Sequence, residues 1–350
     1  MKTEHISWSR EKGYKEDELK KAAELLRDGG LVAFPTETVY GLGGNGLKKE
    51  AAKKIYAAKG RPSDNPLILH ISCREELEPL VKGVPAVAEK LMKEFWPGPM
   101  TLIFKKADIV PYETTGGLDT VAVRMPSHEG ARQLIAAAKV PVAAPSANTS
   151  GRPSPTKAEH VREDLDDRID MIIDGGSVGI GLESTIIDVT EEIPVILRPG
   201  HITKDKVAEV VGEVRMDPGL SGTDSSIRPK APGMKYRHYA PNASMTIFEG
   251  TQEEMTEAIR TAAMQYEAEK VGILAAEETA SCYPHGTVIT AGSRGKHTIG
   301  QGLYHALRAF DHLGVEAILS ESFSGEEESE AIMNRLRKAA GQNIVYLSRK

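Results

Sequence analysis

Ala57-Ala58-Lys59-Gly60-Arg61-Pro62-Ser63-Asp64-Asn65-Pro66-Leu67-Ile68-Leu69-His70 decides how the first half of the chain is read. Within it a basic helix end, a turn stiffened by Gly60 and Pro62, and a buried strand closing on His70 follow one another. Lys59 and Arg61 stand two apart in that turn, so they converge better than cations on an open helix face. A guanidinium fork beside an ammonium suits a polyanion such as a nucleoside triphosphate. The preceding Lys48, Lys49, Lys53 and Lys54, opposed by Glu50 alone, read instead as a solvated helix face.

Working outward, the pattern predicts a helix over 16–28 ended by Gly29-Gly30 and a buried strand over 31–34. Beyond the turn come a strand over 67–71, a helix over 75–95, strands over 100–104 and 120–124, and a helix over 129–138. Strands over 140–144, 171–173, 184–189 and 195–197 complete the set, with Thr203 capping a short helix that reaches Val211. Several strands lie too close together for helical crossovers, which predicts a mixed, partly antiparallel sheet. Residues 216–244 hold four prolines and little apolar periodicity and read as a connector. Its second half is unlike a plain tether, because Tyr236, His238 and Tyr239 sit among cations and prolines. From 245 onward strands and helices alternate, which predicts a small parallel α/β domain. The expected domains are therefore 1–215, a connector over 216–244, and 245–350.

Composition narrows the function. The 350 residues are 40% hydrophobic and 27% charged, as in a globular protein, and 44 Lys plus Arg against 50 Asp plus Glu give a net charge of −6. A chain that gripped long nucleic acid would more often be basic, so any anion site is local. Cys73 and Cys282 are too few and too far apart for a disulfide scaffold or a zinc cluster. Residues 1–14 are polar, not a signal peptide, and no run approaches the ~20 apolar residues that span a bilayer. The expected location is cytoplasmic, with no membrane partner.

Gly41-Leu42-Gly43-Gly44-Asn45-Gly46 satisfies the G-x-G-x-x-G string. Six residues separate it from Phe34, and the next strand ends in His70 instead of an acid, so a dinucleotide fingerprint is not supported. Pro35-Thr36-Glu37-Thr38-Val39-Tyr40 follows a buried strand, where α/β sheets place ligand contacts; its hydroxyls serve a small polar substrate or local turns equally well. Pro145-Ser146-Ala147-Asn148-Thr149-Ser150-Gly151-Arg152-Pro153-Ser154 follows another strand and suits an anion nest or a plain polar loop. Arg124 and Arg198 end strands, and Ser184 opens one. There is no Walker A run, no G-x-S-x-G elbow and no H-E-x-x-H.

Lys59 to Arg61, Ser146 to Asn148 and the Pro-Thr-Glu-Thr-Val-Tyr-Gly-Leu segment together resemble the YrdC-type domain. Over nearly its whole length the chain is similar to the long, two-domain form of the threonylcarbamoyl-AMP synthase family. The resemblance implies an N-terminal twisted mixed sheet with a large concave cleft and a smaller Rossmann-like C-terminal domain. It implies an adenylyl transfer: L-threonine, bicarbonate and ATP give threonylcarbamoyl-adenylate and pyrophosphate, the product serving tRNA position 37 through downstream tRNA threonylcarbamoyl-transferase proteins. Carried over, Thr38, His70, Arg124, Ala144 (through backbone) and Ser184 would hold threonine. Arg61, Asn65, Thr120, Ser146, Asn148, Ser154 and Arg198 would hold the nucleotide, with Lys59 on the phosphates, Lys59 and Arg61 as the catalytic cations, and Tyr236 or His238 closing over it. Magnesium would come with ATP, with no metal site of protein groups and no organic cofactor. The connector would act as a lid and the C-terminal domain as its anchor. The competing readings are an RNA-binding or ribosome-maturation module with a basic cleft and, further off, a carbamoyl-transfer module of hydrogenase maturation, whose zinc-finger cysteines are missing.

Overall fold

In the computed structural model, residues 2–221, 231–232, 238–296, 298–325 and 328–347 are described. The chain divides into two units, Met1–Ser150 with Ser154–Tyr236, and Gly151–Pro153 with Arg237–Lys350. In the first unit the elements run β1 (Glu4–Ser7), α1 (Glu16–Asp28), β2 (Val32–Phe34), β3 (Gly41–Asn45), α2 (Lys49–Lys59), β4 (Ile68–His70), α3 (Ala86–Phe95), β5 (Met100–Lys105), β6 (Thr120–Arg124), α4 (Glu129–Ala138) and β7 (Val142–Ala143). They continue as α5 (Ala158–Leu165), β8 (Met171–Asp174), β9 (Thr185–Asp188), β10 (Val195–Arg198), α6 (Lys204–Val211) and β11 (Arg215–Met216).

The eleven strands form one mixed sheet in the order β1-β8-β2-β3-β7-β4-β6-β5-β9-β10-β11. Helix ends follow the local chemistry. Gly29 and Gly60 adopt left-handed backbone (φ 93° and 62°) just past α1 and α2, and the Thr203 hydroxyl accepts from Lys206 N at the start of α6. Alternation along β4, β6, β5 and β9 sends Leu69, Val123, Leu102 and Ile187 into the main apolar core. The opposite face carries Ile68, Ala122, Ile103, Ile186 and Leu197, and Ala231 of the connector packs there. The other half of the sheet buries Val32, Phe34, Val142, Met171 and Ile173 against α1 and α4 through Ala22, Leu26, Leu134 and Ile135.

Two expectations for the first unit are corrected. The helix over 75–95 breaks into 3-10 turns at Arg74–Glu76 and Glu78–Leu80, and a regular helix begins only after Pro85, because Pro79 and Pro85 lack the N–H a continuous helix needs. The glycine run, to which no strand was assigned, is the buried strand β3, antiparallel to β2 and β7. A Cβ on Gly43 would lie 2.8 Å from Phe34 Cε1 and 2.9 Å from Val142 Cγ1, and one on Gly46 would lie 2.3 Å from Leu69 Cδ2. The glycines admit these neighbouring side chains; they do not wrap a dinucleotide.

The second unit comprises β12 (Ser244–Glu249), α7 (Gln252–Ala263), β13 (Val271–Ala276), β14 (Thr287–Gly292), α8 (Ile299–Leu313), β15 (Ala317–Glu321), α9 (Ser329–Ala339) and β16 (Ile344–Tyr346). Its five strands lie in the order β14-β13-β15-β12-β16 and all pair in parallel, as the alternating sequence predicts. The helix expected over 253–268 ends at Ala263. No helix among the described residues is long and apolar enough to cross a membrane.

Candidate active site

Register brings separate sequence segments into one row. His70 pairs with Arg124 across β4 and β6, Arg124 pairs with Thr101 across β6 and β5, and β5 runs beside β9, which Ser184 precedes. Residues two apart on a strand share a face, so His70, Arg124, Thr101 and Ser184 lie on the face of Ile68, Ala122, Ile103 and Ile186. Arg198 joins from the end of β10, and Ala144, just past β7, donates its N–H to Ile68 O at 2.9 Å.

Arg124 is the hub. Its Nε donates to Gly98 O at 3.3 Å, one terminal nitrogen donates to Thr38 Oγ1 at 3.0 Å, and the other lies 2.6 Å from Glu37 Oε1. Both side chains of the ion pair are largely buried, 5% and 13% exposed. Removing one partner of such a pair costs about 3–5 kcal/mol, because it strands the other charge. Burial alone would raise the Glu37 carboxyl, but the charge and hydrogen bond of Arg124, with backbone N–H groups of Glu37 and Ser127, hold it below the ordinary glutamate range. Burial, then the neighbouring Arg124 charge, pushes His70 down to about 3, so its ring is neutral at pH 7. Its Nδ1 lies 3.2 Å from Ile68 O, an acceptor only, and therefore carries the proton.

The hydroxyls have a fixed sense. Thr36 Oγ1 donates to Val39 O at 2.7 Å and lies 2.9 Å from Thr38 Oγ1, so Thr38 donates to Thr36. Since Arg124 donates to Thr38, that hydroxyl is left to accept from a ligand. Ser184 Oγ lies 2.8 Å from Thr101 Oγ1 and accepts from Arg198 at 3.1 Å, and Arg198 Nε donates to Ser184 O at 3.1 Å. The guanidinium of Arg198 also reaches Pro232 O of the connector at 3.3 Å.

A second group gathers around the end of α2. Lys59 is 2% exposed, and its Nζ donates to Ser146 O, to Asn148 O at 2.5 Å and to Asn148 Oδ1 at 3.4 Å. Ser150 N donates back to Lys59 O at 2.8 Å, and Ser146 Oγ donates to Asn148 Oδ1 at 2.5 Å. Arg61 donates to Asn65 O at 3.2 Å and Pro66 O at 3.0 Å. These cations thus brace the two loops that the sequence singled out. Asn65 Oδ1 is buried without a hydrogen-bond partner among the described residues. An acceptor left so costs about 1–3 kcal/mol unless a ligand fills it. Ser154 is buried with its hydroxyl 2.5 Å from Glu183 Oε1.

Thr120 sits at the far end of β6 from Arg124, paired with Lys105, away from the row. His238 belongs to the second unit, with its ring 5.5 Å from that of Tyr239, and Tyr236 lies outside the described residues. Glu37, Thr101 and Glu183 escaped the sequence reading as site residues. Face parity at the strand end would have found Thr101. Glu183 directly precedes Ser184, but a single acid there carries no signal of its own. Among the described residues no three His, Cys, Asp or Glu groups could together hold a metal ion.

A large mixed sheet whose buried polar row collects at adjoining strand ends, followed by a small parallel α/β unit, defines a two-domain protein of the YrdC-like class. The family model described as telomere recombination (Sua5_yciO_yrdC) matches residues 24–200, and the one described as threonylcarbamoyl-AMP synthase, C-terminal domain, matches residues 202–341. The threonylcarbamoyl-AMP synthase of Bacillus subtilis is 51% identical over 330 residues, 94% of each chain. That of Pyrococcus abyssi is 49% identical over 329 residues, covering 93% of this chain and 95% of its own. A crystal structure of P. abyssi Sua5 complexed with L-threonine superposes with a TM-score of 0.93 at 47% identity, over 99% of this chain and 100% of the other. The chain belongs to the threonylcarbamoyl-AMP synthase family.

Proposed function

We propose that the chain condenses L-threonine, bicarbonate and ATP into threonylcarbamoyl-AMP, water and pyrophosphate. The observation that carries this reading is full-length similarity to named threonylcarbamoyl-AMP synthases in a chain whose Arg124, Thr38, His70 and Ser184 share one strand-end region. A relative's structure is complexed with L-threonine.

In this reading Arg124 meets the threonine carboxylate with a charge-assisted fork. Thr38, whose own proton is committed to Thr36, accepts a hydrogen bond from the hydroxyl or amine of the ligand. Neutral His70 adds no positive charge against the amine, which must be unprotonated to react. The amine adds to bicarbonate, losing water to form a carbamate. A carbamate oxygen then bonds to the α-phosphorus as the bond to pyrophosphate breaks. No nucleophile of the chain is required, so positioning and charge stabilisation do the work. Arg61, Asn65, Ser146, Asn148, Ser154 and Arg198 are the proposed nucleotide groups. Thr120 enters this set from the family resemblance alone. Lys59, tied to the Ser146–Asn148 loop, acts on the phosphates chiefly by holding that loop. Magnesium would come with ATP, held by the phosphates and water, and would neutralise charge there.

The test is pyrophosphate release with threonine, bicarbonate and ATP, together with mass-spectrometric detection of threonylcarbamoyl-AMP. Release that ignores threonine, or no release from folded protein, refutes the assignment. The RNA-binding alternative has no support in the names of these relatives.

A further inference from the structure

We propose that Glu37 is a positioning residue that sets the threonine affinity by orienting Arg124. This role rests on the reading that Arg124 meets the substrate carboxylate.

The guanidinium is held on three sides by different segments: Gly98 O before β5, the Thr38 hydroxyl after β2, and the Glu37 carboxylate at 2.6 Å. Guanidinium offers five N–H groups in one plane. Gly98 O and Thr38 Oγ1 take one N–H each from Nε and one terminal nitrogen, while the other terminal nitrogen has the Glu37 ion-pair contact, so both terminal nitrogens keep N–H groups with which a carboxylate can be engaged. Glu37 is the only carboxylate among the three partners. Its charge beside one terminal nitrogen biases the rotation of the rigid guanidinium plane about the Cδ–Nε bond, and so where the remaining N–H groups point.

Residues 37 and 38 also have main-chain hydrogen bonds that do not involve the carboxylate. Ile180 N donates to Glu37 O at 2.9 Å, and Gly181 N donates to Thr38 O at 3.0 Å. The loop that leads into Ser184 is thereby stitched to the threonine-rich loop by backbone alone. Removing the carboxylate charge therefore perturbs Arg124 without unfastening these loops. A carboxylate that only neutralised a buried cation would bear on stability and would leave threonine and ATP affinity equally touched or untouched. A carboxylate that aims the guanidinium bears on threonine alone.

The experiment is steady-state kinetics of E37Q and E37D, following pyrophosphate release while threonine and ATP are varied separately, with thermal melting to verify folding. E37Q keeps the size and removes the charge; E37D keeps the charge and retracts it by one methylene. E37Q is expected to raise the threonine KM about tenfold or more, with kcat at saturating threonine within about threefold and the ATP KM within about twofold of the parent. E37D is expected to fall between parent and E37Q. If E37Q fails to fold, a threonine KM in folded E37D raised at least about threefold at unchanged ATP KM supports the role. A parental threonine KM in every variant that folds, or threonine and ATP KM rising together by one factor, overturns it. A parent protein without threonine-dependent release overturns the proposed function and this role with it. A parent that turns over, with variants of parental threonine KM, overturns the role of Glu37 alone.

Discussion

Lowering the pH from 7 to 5 should cost the first unit about 2 kcal/mol of stability through His70 alone. The ring is buried beside the Arg124 guanidinium and titrates at about 3 in the folded chain, against an ordinary value of 6.5. Below pH 6.5 the unfolded chain therefore binds a proton that the folded chain refuses. The stabilisation is complete at neutral pH and is lost as pH falls, at about 1.4 kcal/mol per unit, down toward pH 3. The 1.5 units between 6.5 and 5 give the figure. Urea unfolding followed by tryptophan fluorescence reads the right part of the molecule, because both tryptophans, Trp8 and Trp96, lie in the first unit. The comparison is His70→Asn, whose amide nitrogen, bonded to Cγ as Nδ1 is, keeps an N–H for Ile68 O and cannot titrate. His128, whose value burial also lowers, contributes equally to both proteins and cancels. The variant should lose about 2 kcal/mol less than the parent between pH 7 and pH 5. Equal losses would refute the claim that His70 is buried neutral at the strand end.

The Glu37 variants test one branch of the site, and three further substitutions test the rest. Lys59→Met keeps the buried stem and deletes the ammonium that ties Ser146 O and Asn148 O; it should cost about 1–3 kcal/mol and lower turnover about 100-fold or more. Unchanged urea stability with only the ATP KM raised would instead put the ammonium directly on phosphate. Asn65→Ala removes a buried acceptor that lacks a partner, so the stability of the ligand-free protein should hold or rise, by up to about 1–3 kcal/mol, while the ATP KM rises about tenfold; a large loss of stability would refute this. Ser184→Ala deletes the hydroxyl between Thr101 and Arg198, with an expected loss of about 1 kcal/mol in urea and a raised threonine KM; a threonine KM equal to the parent's would remove Ser184 from the site.

Much of the architecture was legible because local chemistry and tertiary structure agree. Gly29, Gly60 and Thr203 mark helix ends in the sequence and mark them in the structure. The strand–helix alternation after residue 245 likewise yields a parallel sheet. Where the two disagree, the sequence misleads. Glycine is a poor strand former by propensity, and the reason β3 holds Gly43 is the crowding of Phe34 and of Val142, the latter distant in sequence. Strand β1 (Glu4–Ser7) and α5 (Ala158–Leu165) are short and largely polar, so periodicity gave no sign of them. The candidate residues were visible as polar groups at strand ends. The direction of each was not. Lys59 reads in sequence as a cation facing a polyanion, yet its ammonium turns inward onto loop carbonyls. Glu37 is one acid among hydroxyls, and only the parallel pairing of β4 with β6, which brings His70 beside Arg124, and the loop that brings in Glu37, explain its importance.

What these contacts have in common is a direction of donation. Arg124 donates to Thr38, Thr38 to Thr36, and Thr36 to Val39 O. Arg198 likewise donates to Ser184, and the Lys59 ammonium to the Ser146–Asn148 loop. Each of these cations faces a neutral oxygen of the chain, and Arg124 also has the Glu37 carboxylate beside it. A ligand carboxylate thus enters a place where one negative charge already sits, and its affinity depends on donors aimed past that charge. Links of this kind polarise one another, so losses at Arg124, Thr38 and Glu37 belong to one unit and should not sum. That coupling also explains how a site without a nucleophile can still be exacting. The chemistry passes between substrates, and the chain determines only where their charges and protons lie when they meet.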